Sequence, residues 1–183
     1  TLQFKLSITS GEFKGGQENE KLDLDIDMNS TIDSLKMDDY VQKVPFPSVF
    51  TGQYAFDMKS GLQEYGEWKI ENEACQIDAS GTILREADHE MVDMDVSWKK
   101  ANPELLKKWL PEKMLKSLAQ YSLSGELEGK AKIEGNSSAK ETPHVSLESK
   151  LKDGEINFLA ANETIKGLTI EVLYDTGTKK PGQ

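Results

Sequence analysis

Apolar and polar residues alternate with a period of two along most of this chain. Leu2, Phe4, Leu6 and Ile8 alternate with Gln3, Lys5 and Ser7, and Leu22, Leu24, Ile26 and Met28 alternate with Asp23, Asp25 and Asp27. Tyr54, Phe56 and Met58 follow the same rule, as do Trp68 and Ile70, then Cys75, Ile77 and Ala79. Val92, Met94, Val96 and Trp98 alternate with Asp93, Asp95 and Ser97. Leu123, Leu127, Ala131 and Ile133 share one parity with Gly125 and Gly129 between them, Val145, Leu147 and Leu151 continue it, and Leu168, Ile170, Val172 and Tyr174 close it. Successive side chains of a strand point to opposite faces, so this pattern predicts antiparallel sheet with one dry and one wet face.

Turn signals separate the runs. Ser10-Gly11 and Gly15-Gly16 punctuate the first strand. Asp153-Gly154 is the sharpest hairpin signal, because both residue types accept positive φ; it predicts a turn joining a strand near 144–152 to one near 155–161. Asn136-Ser137-Ser138 opens a polar loop that reaches Pro143. The stretch from Thr31 to Pro47 follows neither period and reads as mixed strand and loop, with Pro45 and Pro47 forcing an extended, irregular connection.

One segment leaves the strand pattern. Asn102-Pro103-Glu104 reads as an N-cap, a proline at the first helical position and an acidic first turn. Leu105, Leu106, Trp109 and Leu110 follow at helical spacing, Pro111 interrupts, and Met114, Leu115 and Leu118 resume it. The expectation is one short helical insert around 102–120, placed to cover a sheet edge. No shift of composition marks a second domain. Residues 1–177 read as one β-rich domain and 178–183, with Pro181 and Gly182, as a flexible tail.

Composition narrows the function classes. Of 183 residues, 22 are Lys or Arg and 32 are Asp or Glu, a formal net charge of −10. That balance argues against binding nucleic-acid phosphates and against docking on an anionic membrane through a basic patch. Mean hydropathy is −0.58, and no apolar run approaches the roughly 20 residues that span a bilayer. One cysteine, Cys75, leaves no internal disulfide framework, and two histidines, His89 and His144, stand apart without ligand spacing. Fourteen aromatic residues among many Leu, Ile and Val supply material for a core, unlike a disordered chain.

Candidate chemistry is sparse. Asp23-Leu24-Asp25-Ile26-Asp27 resembles the alternating carboxylates of calcium loops but lacks the glycine and the closing glutamate, so it reads as a solvated strand face, as do Asp93 and Asp95. No acid pair is singled out for glycoside hydrolysis. His89 reads as a turn residue before a strand, His144 as a strand start, and Cys75 as a buried, inert thiol. Asn29, Asn136 and Asn162 open glycosylation acceptor triplets of the kind that arise by chance in an Asn/Ser/Thr-rich chain. No catalytic, cofactor or metal residues are assigned, and the chain reads as a non-enzyme.

The order of elements from Val92 to Tyr174 carries a resemblance. A strand ends in Trp98, a helical insert contains Leu110-Pro111, and the run Tyr121-Ser122-Leu123-Ser124-Gly125-Glu126-Leu127-Glu128-Gly129 continues to Gly135. A Pro143-led strand follows, then Asp153-Gly154, then Thr164-Ile165-Lys166-Gly167-Leu168. This resembles the C-terminal part of AsmA-family proteins over roughly 80 residues, while the N-terminal half fits only by its alternating strands. The resemblance implies a curved antiparallel sheet, half-barrel or groove-like, in a larger envelope protein of a Gram-negative bacterium. It implies a periplasmic location with a membrane anchor outside this fragment, a reading that the absence of an initial methionine at Thr1 joins. It further implies a part in outer-membrane assembly or lipid transport, with lipid acyl chains or envelope proteins as partners. On that reading Leu123, Leu127, Ile133, Val145, Leu147 and Leu151 line an apolar groove. The alternation and acidic surface alone equally fit a secreted β-sandwich binding or adhesion module with Greek-key connections.

Overall fold

The computed structural model describes residues 2–37, 40–42, 46–107, 116, 118–138 and 140–177. Ten strands form one antiparallel sheet: β1 (Leu2–Glu18), β2 (Lys21–Met37), β3 (Tyr40–Gln42), β4 (Phe46–Asp57), β5 (Leu62–Asn72), β6 (Gln76–Arg85), β7 (Glu90–Ala101), β8 (Tyr121–Ser137), β9 (His144–Phe158) and β10 (Glu163–Asp175). Nine of them lie side by side in chain order, and the short β3 pairs with the end of β2. The two outer strands are β1 and β10, so the sheet is open. A sandwich with Greek-key crossovers requires strands out of chain order in two layers; this meander corrects that expectation and matches the curved-sheet one.

Substantial contacts between elements run only between hydrogen-bonded neighbours, plus a short helix α1 (Pro103–Lys107) against β8. No described element lies over either face of the sheet. The surface area reflects this. It is 12398 Å2, about 40 % more than the roughly 8,800 Å2 that size scaling gives a globular monomer of 20.4 kDa.

Packing within the single layer comes from the period-two pattern. Met28, Phe50, Ile70, Ile77 and Trp98 are successive cross-strand partners from β2 to β7. A parallel row runs Trp68, Ala79, Val96, Ala131, Leu147, Tyr174 from β5 to β10. Met28, Phe50 and Leu151 are buried although no described element covers them, because each is walled in by its neighbours on the same face.

Three strands carry a bulge at a charged residue with positive φ: Glu67 at 47° in β5, Lys100 at 52° in β7 and Asp153 at 48° in β9. Each inserts one residue against the partner strand and so shifts the phase of the alternation. Tyr65 and then Trp68 share a face in β5, Trp98 and then Ala101 in β7, and Leu151 and then Ile156 in β9. Asp153-Gly154 is therefore not the expected hairpin turn. β9 runs through it to Phe158, and the chain reverses at 159–162, where Asn162 has φ 52°. Gly154 fits because a Cβ there would lie 2.7 Å from Leu151 Cδ2 and 3.1 Å from the Leu168 carbonyl. Ser10-Gly11 and Gly15-Gly16 likewise lie inside a continuous β1, which turns at Asn19-Glu20, both with positive φ.

The helical expectation holds where the structure describes it. Asn102 Oδ1 accepts from the N–H groups of Glu104 (3.0 Å) and Leu105 (3.3 Å), an N-cap. Lys116 and Leu118 are also helical; 108–115 and 117, and the tail 178–183, lie outside the described residues. The role of α1 is visible at β8. The β7–β8 pairing ends at Ala101–Leu127, leaving the first residues of β8 without a strand on that side. Glu104 Oε2 accepts the Leu123 N–H (2.9 Å), and Lys107 Nζ donates to the Tyr121 carbonyl (2.8 Å). Helix side chains thus satisfy an edge that would otherwise be bare.

Candidate binding face

The apolar side of the sheet is the candidate site. Each of its rows crosses the strands, so it is built by the register of the whole meander. Two tryptophans shape its floor. Trp98 stands directly opposite Gly129 and fills the space in which a Cβ would sit. Trp68 lies over Gly52, where a Cβ would come within 2.9 Å of the indole. Glycine without a side chain is a weak strand residue, and an aromatic laid across it restores the missing packing. Trp68 Nε1 donates to the Gln53 carbonyl at 2.8 Å, so the polar atom of the indole has a partner.

At the β5 bulge, Tyr54, Tyr65 and Trp68 cluster, with ring centroids 5.4 Å and 6.3 Å apart. Both tyrosine hydroxyls donate to Gln63 Oε1, Tyr65 at 2.9 Å and Tyr54 at 3.4 Å. Burial, then the neighbouring Tyr54, pushes the Tyr65 hydroxyl above its ordinary range, so it stays a neutral donor. A second aromatic pair, Tyr121 and Phe158, meets edge-on at 5.3 Å where β8 and β9 end together.

The six residues expected to line a groove all fall on this face. Leu127 and Leu151 are direct partners, as are Ile133 and Val145; Leu147 faces Ala131, and Leu123 faces Ile156. Leu151 is buried and the other five are half-buried. They form a strip along β8 and β9 and do not converge on a pocket. The sequence reading stopped too early: Met28, Phe50, Trp68, Ile70 and Trp98 belong to the same face through the register. The signal was present in their parity, but nothing local says that distant strands are adjacent.

A row of small polar side chains runs beside Met28, Phe50 and Ile70. Ser30, Ser48 and Asn72 are successive partners across β2, β4 and β5. Asn72 Oδ1 accepts from the Ala74 and Cys75 N–H groups at 2.8 and 3.0 Å, and Ser30 Oγ is buried without a partner. Cys75 lies beside this seam, buried, and desolvation raises its thiol pKa, which makes it the unreactive thiol the pattern implied.

A cleft of about 750 Å3 lies along the Trp68–Tyr174 row. Its lining takes Trp68, Ala79, Val96, Ala131, Leu147 and Tyr174 from that row, and Asp78, Asp95, Lys130, Lys132 and Glu148 from the polar parity beside it. Its chemistry is self-compensated. Lys132 Nζ is held by Asp93 and, at 2.9 Å, Asp95, both of which raise its pKa, and Lys130 Nζ meets Glu148 at 2.9 Å. Among the described residues no group of three metal-binding side chains assembles, and Asp23, Asp25 and Asp27 are exposed along β2.

Both histidines stand with carboxylates. His89 Nδ1 lies 2.9 Å from Asp88 in the turn before β7. His144, the first residue of β9, has Nε2 2.9 Å from Asp175 of β10 and Nδ1 3.7 Å from Glu134 of β8. The hydrogen bond to Asp175 raises the His144 pKa above its ordinary 6.5 and lowers that of Asp175. No described helix is long and apolar enough to cross a membrane. Comparison of the chain with family models, with curated proteins and with solved structures returns no match in any of the three.

Proposed function

We propose that the apolar face of this sheet holds lipid acyl chains, and that the chain serves the bacterial cell envelope as a non-enzymatic periplasmic segment of an AsmA-like protein in outer-membrane assembly or lipid traffic. The carrying observation is a single-layer sheet of nine strands in sequence order with apolar rows crossing it and no described element above them. An acyl chain laid along a row gains about 25 cal/mol for each Å2 of apolar area it removes from solvent. The rows fit a chain better than a compact ligand: they are long and lack charge, and the Ser30–Ser48–Asn72 row beside Met28, Phe50 and Ile70 offers hydroxyl and amide groups to a polar head.

Native mass spectrometry and solvent extraction of the purified chain test this reading. Bound species of lipid mass are expected, together with uptake of a fluorescent fatty acid. Val96→Glu, in the middle of the Trp68–Tyr174 row, should abolish both while leaving the β circular-dichroism signal intact. A chain that carries no lipid and takes up no acyl probe sinks the proposal.

A further inference from the structure

The two open edges of the sheet differ in how well they are defended. Exposed edges normally carry glycine, proline, charges or bulges that discourage a further strand. Along its described outer half β1 has Gly11, Gly15 and Gly16, the pair Glu12–Lys14 at 3.1 Å and a register break between Ile8 and Ser10. β10 has register breaks between Ile165 and Leu168 and between Leu168 and Ile170, and from Ile170 onward it has none of these. Leu168 to Tyr174 contains no glycine, proline or lysine, and its single charge, Glu171, is already held by Lys150 at 2.7 Å. Ile170, Val172, Leu173 and Tyr174 are 42, 51, 78 and 56 % exposed, so this edge is apolar on both sides of the sheet.

We propose that β10 is a self-pairing edge, which joins two copies of this chain into one continuous antiparallel sheet. The direction of the strands selects this arrangement. Nine strands in the meander leave β1 and β10 running the same way, so with the apolar faces on one side β10 of one copy against β1 of another makes a parallel ladder. A two-fold axis normal to the sheet instead pairs β10 with β10 antiparallel and keeps both apolar faces on the same side. The backbone is ready for it. The Thr176 N–H donates to the Val145 carbonyl at 3.0 Å, and alternation then directs the N–H groups of Val172 and Tyr174 toward β9 and those of Glu171 and Leu173 outward.

Register follows from charge. Centring the pair on Glu171 stacks two acids, and centring it on Leu173 sets Glu171 against Asp175. Centring it on Val172 puts Val172 against its own copy, Ile170 against Tyr174 and Glu171 against Leu173, with no like charges opposed. Aromatic and β-branched partners of this kind favour a strand pair.

Sedimentation velocity over a wide concentration range tests the pairing. A concentration-dependent dimer is expected. Leu173→Pro removes one outward N–H without touching the ladder to β9, and should weaken the dimer at least about tenfold. The register makes Val172 a non-hydrogen-bonded pair, whose Cα separation of about 4.5 Å admits a disulfide. Val172→Cys should therefore oxidise to a covalent dimer, and Thr169→Cys, opposite Asp175, should not. The native Cys75 is buried and does not compete. A monomer at every concentration overturns the proposal, and so does equal cross-linking from both positions. The cysteine pair keeps the test decisive if the proline variant does not fold. The outcome is independent of what the apolar face binds.

Discussion

The polar side of this sheet is built in two different ways. In β7 to β10 nearly every lysine reaches an acid on the next strand: Lys130 to Glu148, Lys150 to Glu171, Lys132 to Asp93 and Asp95, Lys152 to Glu128 and Lys166 to Glu155. In β2 the three aspartates have no such partners. Asp23, Asp25 and Asp27 face Gly16, Lys14 and Glu12 on β1, and Ala55, Gln53 and Thr51 on β4. Lys14 turns to Glu12, and Asp25 accepts only from Gln53, at 3.1 Å. Exposed ion pairs add little stability each, so the grid is not what holds the C-terminal half together. It does explain how its register is chosen. A slip of two residues keeps every side chain on its proper face, and only mismatched charges penalise it. The N-terminal half penalises the same slip by shape, through Gly52 beneath Trp68 and Phe50 between Met28 and Ile70.

If that contrast is right, removing shape from the N-terminal half has the largest effect. Phe50→Ala should lower stability by about 3 kcal/mol in urea denaturation, with hydrogen exchange rising first in β2, β4 and β5. An unchanged midpoint means that packing does not hold this half. A smaller effect is expected from reversing one lysine of the grid. Lys132→Glu gathers three acids with Asp93 and Asp95, and should lower the melting temperature most at low salt, whereas Asp25→Lys should raise it. Equal responses of the two variants erase the distinction between the halves.

The smallest effect belongs to His144, which ties β8, β9 and β10 together. Its pKa is raised in the folded state, so its contribution is fully present below the ordinary 6.5 and is lost as pH climbs through the raised value. Asp175 is shifted the opposite way, so its share is present above the ordinary 3.8 and is lost as pH falls through its lowered value. The end of β10 should therefore be most secure in mildly acidic solution and loosen toward neutral and alkaline pH. NMR of the Val145 and Thr176 amides follows this, and His144→Gln should remove the pH dependence.

The strands were legible because one face is dry, and a dry face forces alternation. β2 and β7 could be traced residue by residue from Leu22 to Met28 and from Val92 to Trp98. The N-cap at Asn102 was legible because it is a local hydrogen-bonding unit. Asp153-Gly154 was misread for a physical reason. A tight turn and a bulge both need a residue that accepts positive φ, and both reset the phase of alternation. Only the partner strands on either side distinguish them. The binding face was legible as a parity and not as a surface, since Trp68 and Tyr174 join one row only after five strand pairings are known. The ion-pair grid was hidden in the same way: lysines and acids were countable, but their matching is a property of register.

A sheet whose strands touch only their chain neighbours has a consequence for how it forms. Each new strand docks on the edge left by the one before it, over a short connection everywhere but at the helical insert between β7 and β8, so loop-closure entropy stays small at most steps. Structure can grow from any nucleating hairpin and be lost from either end, as in solenoid repeats whose stability is a sum over neighbours. For such a chain a single unfolding midpoint averages over partly assembled sheets. The quantity that describes it is the position at which the growing ladder stops.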